Sequence, residues 1–443
     1  MSEARMMDVA SPRQVADHPA QNMRNVAAAS LVGATIEWYD FILYGTAAAL
    51  IFNRQFFPEL DPVAGTLAAF AAYVVGFAAR PFGGLLFGHF GDKLGRKEAL
   101  IVSMLIMGGS TAFIGLLPTY ETIGIAAPVL LVLLRLLQGI ALGGETGGAV
   151  LISVEYSSAR EMNFYGSFPQ MGVPAGTILA NLVFFATTAI VSPEAFTSWA
   201  WRVPFLLSFV LVLFGLVIRL KIAETPHFLK AQRERDIVAV PGLEAVRKNW
   251  FRIALTALAI CSASTVSYIW SVFSLSYGTN ALGLDRSMLL LGVTCGSIVW
   301  LVCIPFWGRW ADRNGRRSVF ITGTFVLVLA AAAYFPLLNV KDPLVVFLTL
   351  VAMGAVFPIT HALQGSILAD LFPAAVRYSG MGWTLGIASI FGGMSPLFAT
   401  SLFAVDPTTF LVTIYMVGVC VVSSVSALAL FASAPQLDNG QHF

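Results

Sequence analysis

Gly88-His-Phe-Gly-Asp92-Lys-Leu-Gly95-Arg96-Lys97 returns later in the chain as Gly308-Arg-Trp-Ala-Asp312-Arg-Asn-Gly315-Arg316-Arg317. Both read Gly-x-x-x-Asp-x-x-Gly-Arg-(Lys/Arg), and each residue of the second stands 220 positions after its partner. Each copy is wedged between two long apolar stretches, so the 443 residues divide into two similar halves. Such repeats in membrane chains point to a transporter whose halves rock about a central site. Gly88 and Gly308 let two helices approach closely. Asp92 and Asp312 are placed to cap a helix or accept from a neighbour's backbone N–H groups. Gly95 and Gly315 permit a sharp reversal, and a basic pair follows. The functional reading is a latch between the halves, formed in one conformation and broken in the other. The plainer reading is a positively charged membrane anchor.

A weaker echo supports the halves. Glu155-Tyr-Ser-Ser-Ala-Arg160 and Asp370-Leu-Phe-Pro-Ala-Ala-Val-Arg377 each close an apolar stretch with an acid, a short turn and an arginine. Latch or capping roles are expected for all four charged residues.

Composition sets the solvent. Charged residues are 11% of the chain and hydrophobic residues 57%, against about 25% charged in soluble domains. Mean hydropathy is +0.79. Most of the chain must face lipid. A net charge of +2 gives no electrostatic support for nucleic acid. Cys261, Cys295, Cys303 and Cys420 lie in apolar stretches without C-x-x-C spacing, which argues against disulfides and metal. The first residues lack the apolar core of a signal peptide.

Twelve apolar windows read as membrane helices. The fold class expected is all-α, integral to the membrane, in two pseudo-symmetric six-helix bundles. The expected divisions are an N-terminal cytoplasmic tail (1–27), a first bundle (28–220), a cytoplasmic linker (221–251), a second bundle (252–432) and a short tail (433–443). With both termini cytoplasmic, 20 of the 26 Lys and Arg residues fall on the cytoplasmic side, as the positive-inside rule demands. Arg54, Arg202, Arg286 and Lys341 fall on the other. Arg80 and Arg135 remain inside spans.

The doubled turn is also the loop signature of the major facilitator superfamily, which the chain resembles. Further strings resemble its metabolite:proton symporter branch: Gly33-Ala-Thr-Ile-Glu37-Trp-Tyr-Asp40-Phe-Ile-Leu-Tyr44-Gly45, Phe77-Ala-Ala-Arg80-Pro81-Phe-Gly83-Gly84, and Arg135-Leu-Leu-Gln138-Gly139-Ile-Ala-Leu-Gly143-Gly144-Glu145. Within the branch the chain looks most like shikimate-type organic acid carriers, while relatives move 2-oxoglutarate, citrate, betaine or proline. Many relatives read Gly-Gly-Glu-Trp-Gly-Gly where this chain has Thr146 in place of Trp. The resemblance implies alternating access and proton symport in a cytoplasmic membrane.

The residues argue for themselves as well. An ionisable group inside a span is costly and defaults to a functional hypothesis. Glu37 and Asp40 stand three apart on one helix, continued by Tyr44. Arg135, Gln138 and Glu145 share a face of the fourth span, and the second adds Arg80. Burial favours the neutral form of an acid and a nearby arginine the charged form. An anion moving onto or off an arginine therefore changes how tightly an acid holds its proton. Glu37, Asp40 and Glu145 are the proton-coupling candidates. Arg80, Arg135, Gln138 and Tyr44 are the substrate candidates in this half. The alternatives are a static bridge from Glu37 or Asp40 to Arg80, a structural Arg135, and a Glu145 belonging to the latch.

The second half holds no ionisable group inside its spans apart from His361. It supplies Tyr268, Trp270, His361, Gln364 and Trp383, a hydrogen-bonding aromatic set suited to a small hydroxylated or cyclic solute. Interface anchoring and a packed core histidine are the competing readings. Without a P-loop or nucleophile elbow, neither an ATP-driven pump nor a hydrolase is supported. The expectation is a carrier, not an enzyme, that imports a small organic acid with protons, needs no cofactor or metal, and functions as a monomer in the lipid bilayer. The rivals are a symporter of a zwitterionic osmolyte and a proton-driven drug exporter.

Overall fold

A helix with a lipid-facing side must keep its backbone bonds internal, and all regular structure among the described residues is helical. The computed structural model describes residues 23–83, 86–87, 96–143, 154, 160–221, 241–372 and 377–434. The helices of the first half are α1 (Met23–Ala47, extended by a π turn Ala48–Phe52 and Asn53–Phe56), α2 (Pro62–Gly83), α3 (Arg96–Leu116), α4 (Ala126–Gly143), α5 (Met162–Ile190) and α6 (Val203–Lys221). Those of the second are α7 (Pro241–Tyr268, then a π turn Ile269–Phe273 and Ser274–Asn280), α8 (Arg286–Asn314), α9 (Arg316–Leu338), α10 (Pro343–Leu371), α11 (Arg377–Val405) and α12 (Phe410–Ser433). Ten described helices are long and apolar enough to cross a membrane. The apolar run of α1 is interrupted by Glu37 and Asp40, and that of α3 is the shorter Ile101–Leu116; both pack as the others do. Outward faces are apolar, with Phe214, Val302 and Leu329 exposed, the reverse of a helix facing water.

The packing repeats with the sequence. In the first half α1 packs on α5 and α6, α2 on α4, and α3 on α4 and α6. In the second, α7 packs on α11 and α12, α8 on α10, and α9 on α10 and α12. Every pair maps onto its counterpart by advancing six helices. The halves join along α2–α11 and α5–α8, which exchange under the same operation.

Two glycine crossings show why. A Cβ on Gly139 of α4 would lie 2.0 Å from the Gly76 carbonyl oxygen of α2. A Cβ on Gly354 of α10 would lie 1.9 Å from the Gly296 carbonyl oxygen of α8. Backbone touches backbone at both places, as small residues permit in lipid. Gly76 and Gly296 stand 220 positions apart, the offset of the repeated turn.

Aspartates start several helices. Asp61 accepts from the N–H groups of Val63 and Ala64, Asp285 from Met288, and Asp342 from Leu344 and Val345. Two features differ from the hydropathy reading. Helix α7 begins at Pro241, inside the stretch read as linker, and kinks at Asn249; proline starts helices well, and hydropathy marks entry into the membrane rather than the start of a helix. Helix α10 breaks at Ala362–Leu363, between His361 and Gln364, just after Pro358.

Gly354→Val is expected to destabilise the fold by about 2 kcal/mol or more, read as a lower melting temperature in detergent. Gly418→Ala, where nothing lies within 4 Å of an added Cβ, is expected to melt like the parent.

Candidate functional site between the halves

The charged residues of α1, α2 and α4 converge on aromatic rings. Arg135 is fully buried. Its Nη1 donates to Gln138 Oε1 (2.8 Å) and its Nη2 to the Tyr73 carbonyl (3.2 Å). The guanidinium lies 4.1 Å from the Tyr44 ring centre, 4.7 Å from Phe41 and 5.1 Å from Tyr73. Gly76 leaves it room: an added Cβ there would come 2.6 Å from Nη2. Arg80, 4% exposed, lies 4.4 Å from Phe41, 4.5 Å from Phe77 and 5.5 Å from Trp38. Its Nε and Nη2 have no hydrogen-bond partner. Among the described residues neither arginine is within ion-pair distance of a carboxylate. Two cations therefore share the Phe41 ring, held by cation–π attraction.

The acids of α1 divide. Asp40 is completely buried and faces α3 and α6: its Oδ1 accepts a short hydrogen bond from Ser208, while Oδ2 has no partner. Beside it the Thr111 hydroxyl donates to the Met107 carbonyl (3.0 Å) and accepts from Gln138 Nε2 (2.6 Å). Ser208, Asp40, Thr111, Gln138 and Arg135 thus follow one another through the bundle. Glu37 instead neighbours Arg80 and Tyr268. A spacing of three leaves side chains about 60° apart around a helix, enough to send the two carboxylates to different surroundings. Glu145 lies outside the described residues.

From the second half, Tyr268 reaches this cluster, edge-on to Phe77 at 5.4 Å and to Tyr73 at 6.0 Å. The other aromatic candidates sit elsewhere. Trp270 donates its indole N–H to the Leu350 carbonyl (2.9 Å) and packs on Trp300 and Phe357. His361 lies 5.2 Å from the Trp300 ring. His361 Nδ1, Gln364 Nε2 and Trp300 Nε1 are buried without partners around the break in α10. Trp383 is partly buried against a core cluster made mostly of second-half residues, with Val154 and Met162 from the first.

At one end the halves are tied through the second repeated turn. Asp312 Oδ1 accepts from the backbone N–H (3.0 Å) and side-chain amide (2.8 Å) of Asn163, and Oδ2 from the Phe164 N–H (3.0 Å). A carboxylate on the first N–H groups of α5 also meets the positive end of its dipole. Gly308 makes the approach possible, since a Cβ would lie 2.8 Å from the Asn163 carbonyl oxygen. Gly315 turns the chain with φ +84°, a conformation glycine adopts freely. Arg316 pairs with Asp370 (2.6 Å) and donates to the Ser366 carbonyl (3.4 Å); the Ser366 hydroxyl bonds Asn163. Arg317 and Arg160 are exposed. Gly88, Asp92, Gly95 and Glu155 lie outside the described residues, as do the side chains of Arg96, Lys97 and Arg377. At the opposite end Arg286 of α8 sits 5.5 Å over Phe196 of the first half. The halves therefore touch at both ends.

The sequence model described as the Major Facilitator Superfamily matches residues 31–396 and again 255–440. This chain belongs to the major facilitator superfamily. It is a transporter rather than an enzyme, and a multi-pass membrane protein. Among its relatives, the shikimate transporter of Escherichia coli K12 is 40% identical over 414 residues, 92% of this chain and 94% of that protein. The inner membrane metabolite transport protein YhjE of the same organism is 41% identical over 379 residues, 84% and 86% of the two chains. A putative proline/betaine transporter of Staphylococcus aureus is 32% identical over 435 residues, 95% and 93%. The crystal structure of a D-xylose-proton symporter shares the fold with a TM-score of 0.73 at 15% identity, covering 95% of this chain and all of that one.

In this facilitator several contact residues escaped the sequence reading. Thr111, Ser208, Asn163 and Ser366 are ordinary polar residues there, without charge or motif. Gly76 carried a signal in its 220-residue offset from Gly296.

Asp312→Ala removes three hydrogen bonds between the halves, each worth about 1.5–3 kcal/mol when the acceptor is charged. With the four native cysteines replaced by serine, Gly166→Cys is expected to react slowly with a maleimide, since Gly166 is buried. Adding Asp312→Ala is expected to speed labelling about tenfold or more; equal rates would deny that the contact holds this end closed.

Proposed function

We propose that this transporter imports a small organic acid, shikimate-like or another carboxylate, together with protons across a cytoplasmic membrane. The observation that carries the reading is Arg80, buried with two guanidinium nitrogens unpartnered and, among the described residues, no carboxylate in ion-pair distance. An unpaired buried cation costs several kcal/mol, and a substrate carboxylate recovers that cost. Tyr268 adds a contact from the second half, and the buried donors beside the α10 break suit substrate hydroxyls. The relative named as a shikimate transporter agrees with a hydroxylated ring acid.

Asp40 is the group we assign to the proton. Its second oxygen has no partner, no cation among the described residues is within ion-pair distance, and Thr111 beside it bonds through Gln138 to Arg135. Protonation from outside and anion binding at Arg80 precede the rocking of the halves. The Asp312 contact then breaks, and substrate and proton leave inward. Charge and proton are handled by the first bundle, shape by the second, within one monomer. A zwitterionic osmolyte fits less well: the faces of Trp38, Phe41 and Phe77 that would cage its ammonium already hold Arg80. Both termini are assigned to the cytoplasm from the placement of Lys and Arg.

The test is uptake of labelled shikimate, 2-oxoglutarate, citrate and betaine into proteoliposomes, with and without an imposed pH gradient. Arg80→Gln is expected to raise KM for the transported acid about 30-fold or more. Asp40→Asn is expected to abolish gradient-driven accumulation and to retain exchange of labelled for unlabelled substrate. Unaltered pH-dependent uptake by both variants would reject the assignment. For orientation, a reporter that fluoresces only in the cytoplasm is expected to be bright when fused after Phe443.

A further inference from the structure

Away from the central site, one surface pocket of about 480 Å³ combines charge with aromatic walls. Phe164, Pro305, Phe306, Arg309, Trp310 and Arg313 line it. Leu291, Ile298, Val302, Phe306 and Trp310 are all exposed, and their spacing of seven, four, four and four places them on one side of α8. That apolar stripe ends at Arg309 and Arg313, three residues beyond Phe306 and Trp310 respectively. Both arginines are exposed, and neither forms an ion pair among the described residues. The acid between them in sequence, Asp312, is turned away and bonded to Asn163 and Phe164. Arg309 is steered toward the pocket by Phe164, whose ring centre lies 4.3 Å below the guanidinium.

A lipid-facing stripe with a tryptophan at its foot and two unneutralised guanidinium forks beyond it matches one class of ligand. The stripe accepts an acyl chain, the tryptophan marks the interface, and the forks suit phosphate oxygens. We infer that this pocket binds an acidic phospholipid, its phosphate between Arg309 and Arg313 and an acyl chain along Val302 and Phe306. Basic pockets at the edge of a bundle recognise anionic headgroups through these same interactions. Phe164 is contributed by the first half and the arginines by the second. The pocket is therefore complete when Asp312 holds the start of α5, and the bound lipid favours the state closed at this end. By linkage, opening that end weakens the lipid.

Native mass spectrometry of the full chain in detergent, titrated with phosphatidylglycerol, phosphatidylcholine or inorganic phosphate, tests this directly. Phosphatidylglycerol is expected to be retained, with phosphatidylcholine much weaker and millimolar inorganic phosphate unable to displace it. Arg309→Gln with Arg313→Gln is expected to weaken retention about 30-fold, since each surface arginine contributes about a factor of five. Arg309→Lys with Arg313→Lys keeps the charge and is expected to lose less than tenfold. Asp312→Ala is expected to weaken retention although it leaves both arginines in place. Equal binding by the glutamine pair, equal retention of phosphatidylcholine, or displacement by inorganic phosphate would overturn the lipid site. Unchanged retention in Asp312→Ala would overturn its coupling to closure. If the glutamine pair does not fold, the competition among the three ligands on the parent protein decides the matter.

Discussion

A guanidinium inside a helical bundle must be surrounded by something that replaces water, and among the described residues of this chain aromatic rings do so, with no carboxylate in ion-pair distance. Phe41 stands against both Arg80 and Arg135. Tyr44, Tyr73, Phe77 and Trp38 complete the lining. A ring stabilises a cation by about 1–2 kcal/mol when desolvated, less than an ion pair supplies in the same place. The positive charge is held without an ion pair among the described residues. That arrangement explains why Gly76 must be glycine, since a side chain there would occupy the volume of Arg135. It also explains why α1, α2 and α4 present their aromatic residues to one point.

Duplication supplies the frame in which this charge is placed. The contacts among α1 to α6 recur among α7 to α12, and both Gly–Gly crossings fall at matching positions. The contents of the halves are not duplicated. Where the first half packs Arg135 against Gly76, the second packs Trp270 against Gly296. Close backbone approach is a property of the fold, while the group admitted beside it is a property of the half. A two-fold machine with unlike interiors separates moving the halves from recognising the cargo.

Much of the fold was legible because lipid imposes simple rules. Spans, their number and the two halves follow from hydropathy and from the doubled turn. Boundaries were less legible: α7 runs into the polar stretch before Arg252, and α10 breaks beside His361. Hydropathy responds to neither event, because helix initiation and hydrogen-bond interruption are matters of backbone. In the site, Arg80, Arg135, Gln138 and Asp40 were legible as polar groups in apolar spans. Ser208, which bonds Asp40, and Thr111, which lies beside it, were not. Hydroxyl residues occur throughout membrane helices, mostly bonded to the preceding turn, as Thr177 and Thr187 are here.

By itself the sequence determined the solvent, the helical class, the duplication and which ionisable groups interrupt the apolar stretches. Each follows from composition or spacing, which are properties of the chain. The tertiary structure alone decided who meets whom. It separated Asp40 from Glu37 and both arginines from ion-pair contact with any described carboxylate. It also brought Asp312 of one half onto the backbone of Asn163 and Phe164 in the other. The reason is geometric: a helical period fixes which residues share a face, but only packing fixes what that face confronts.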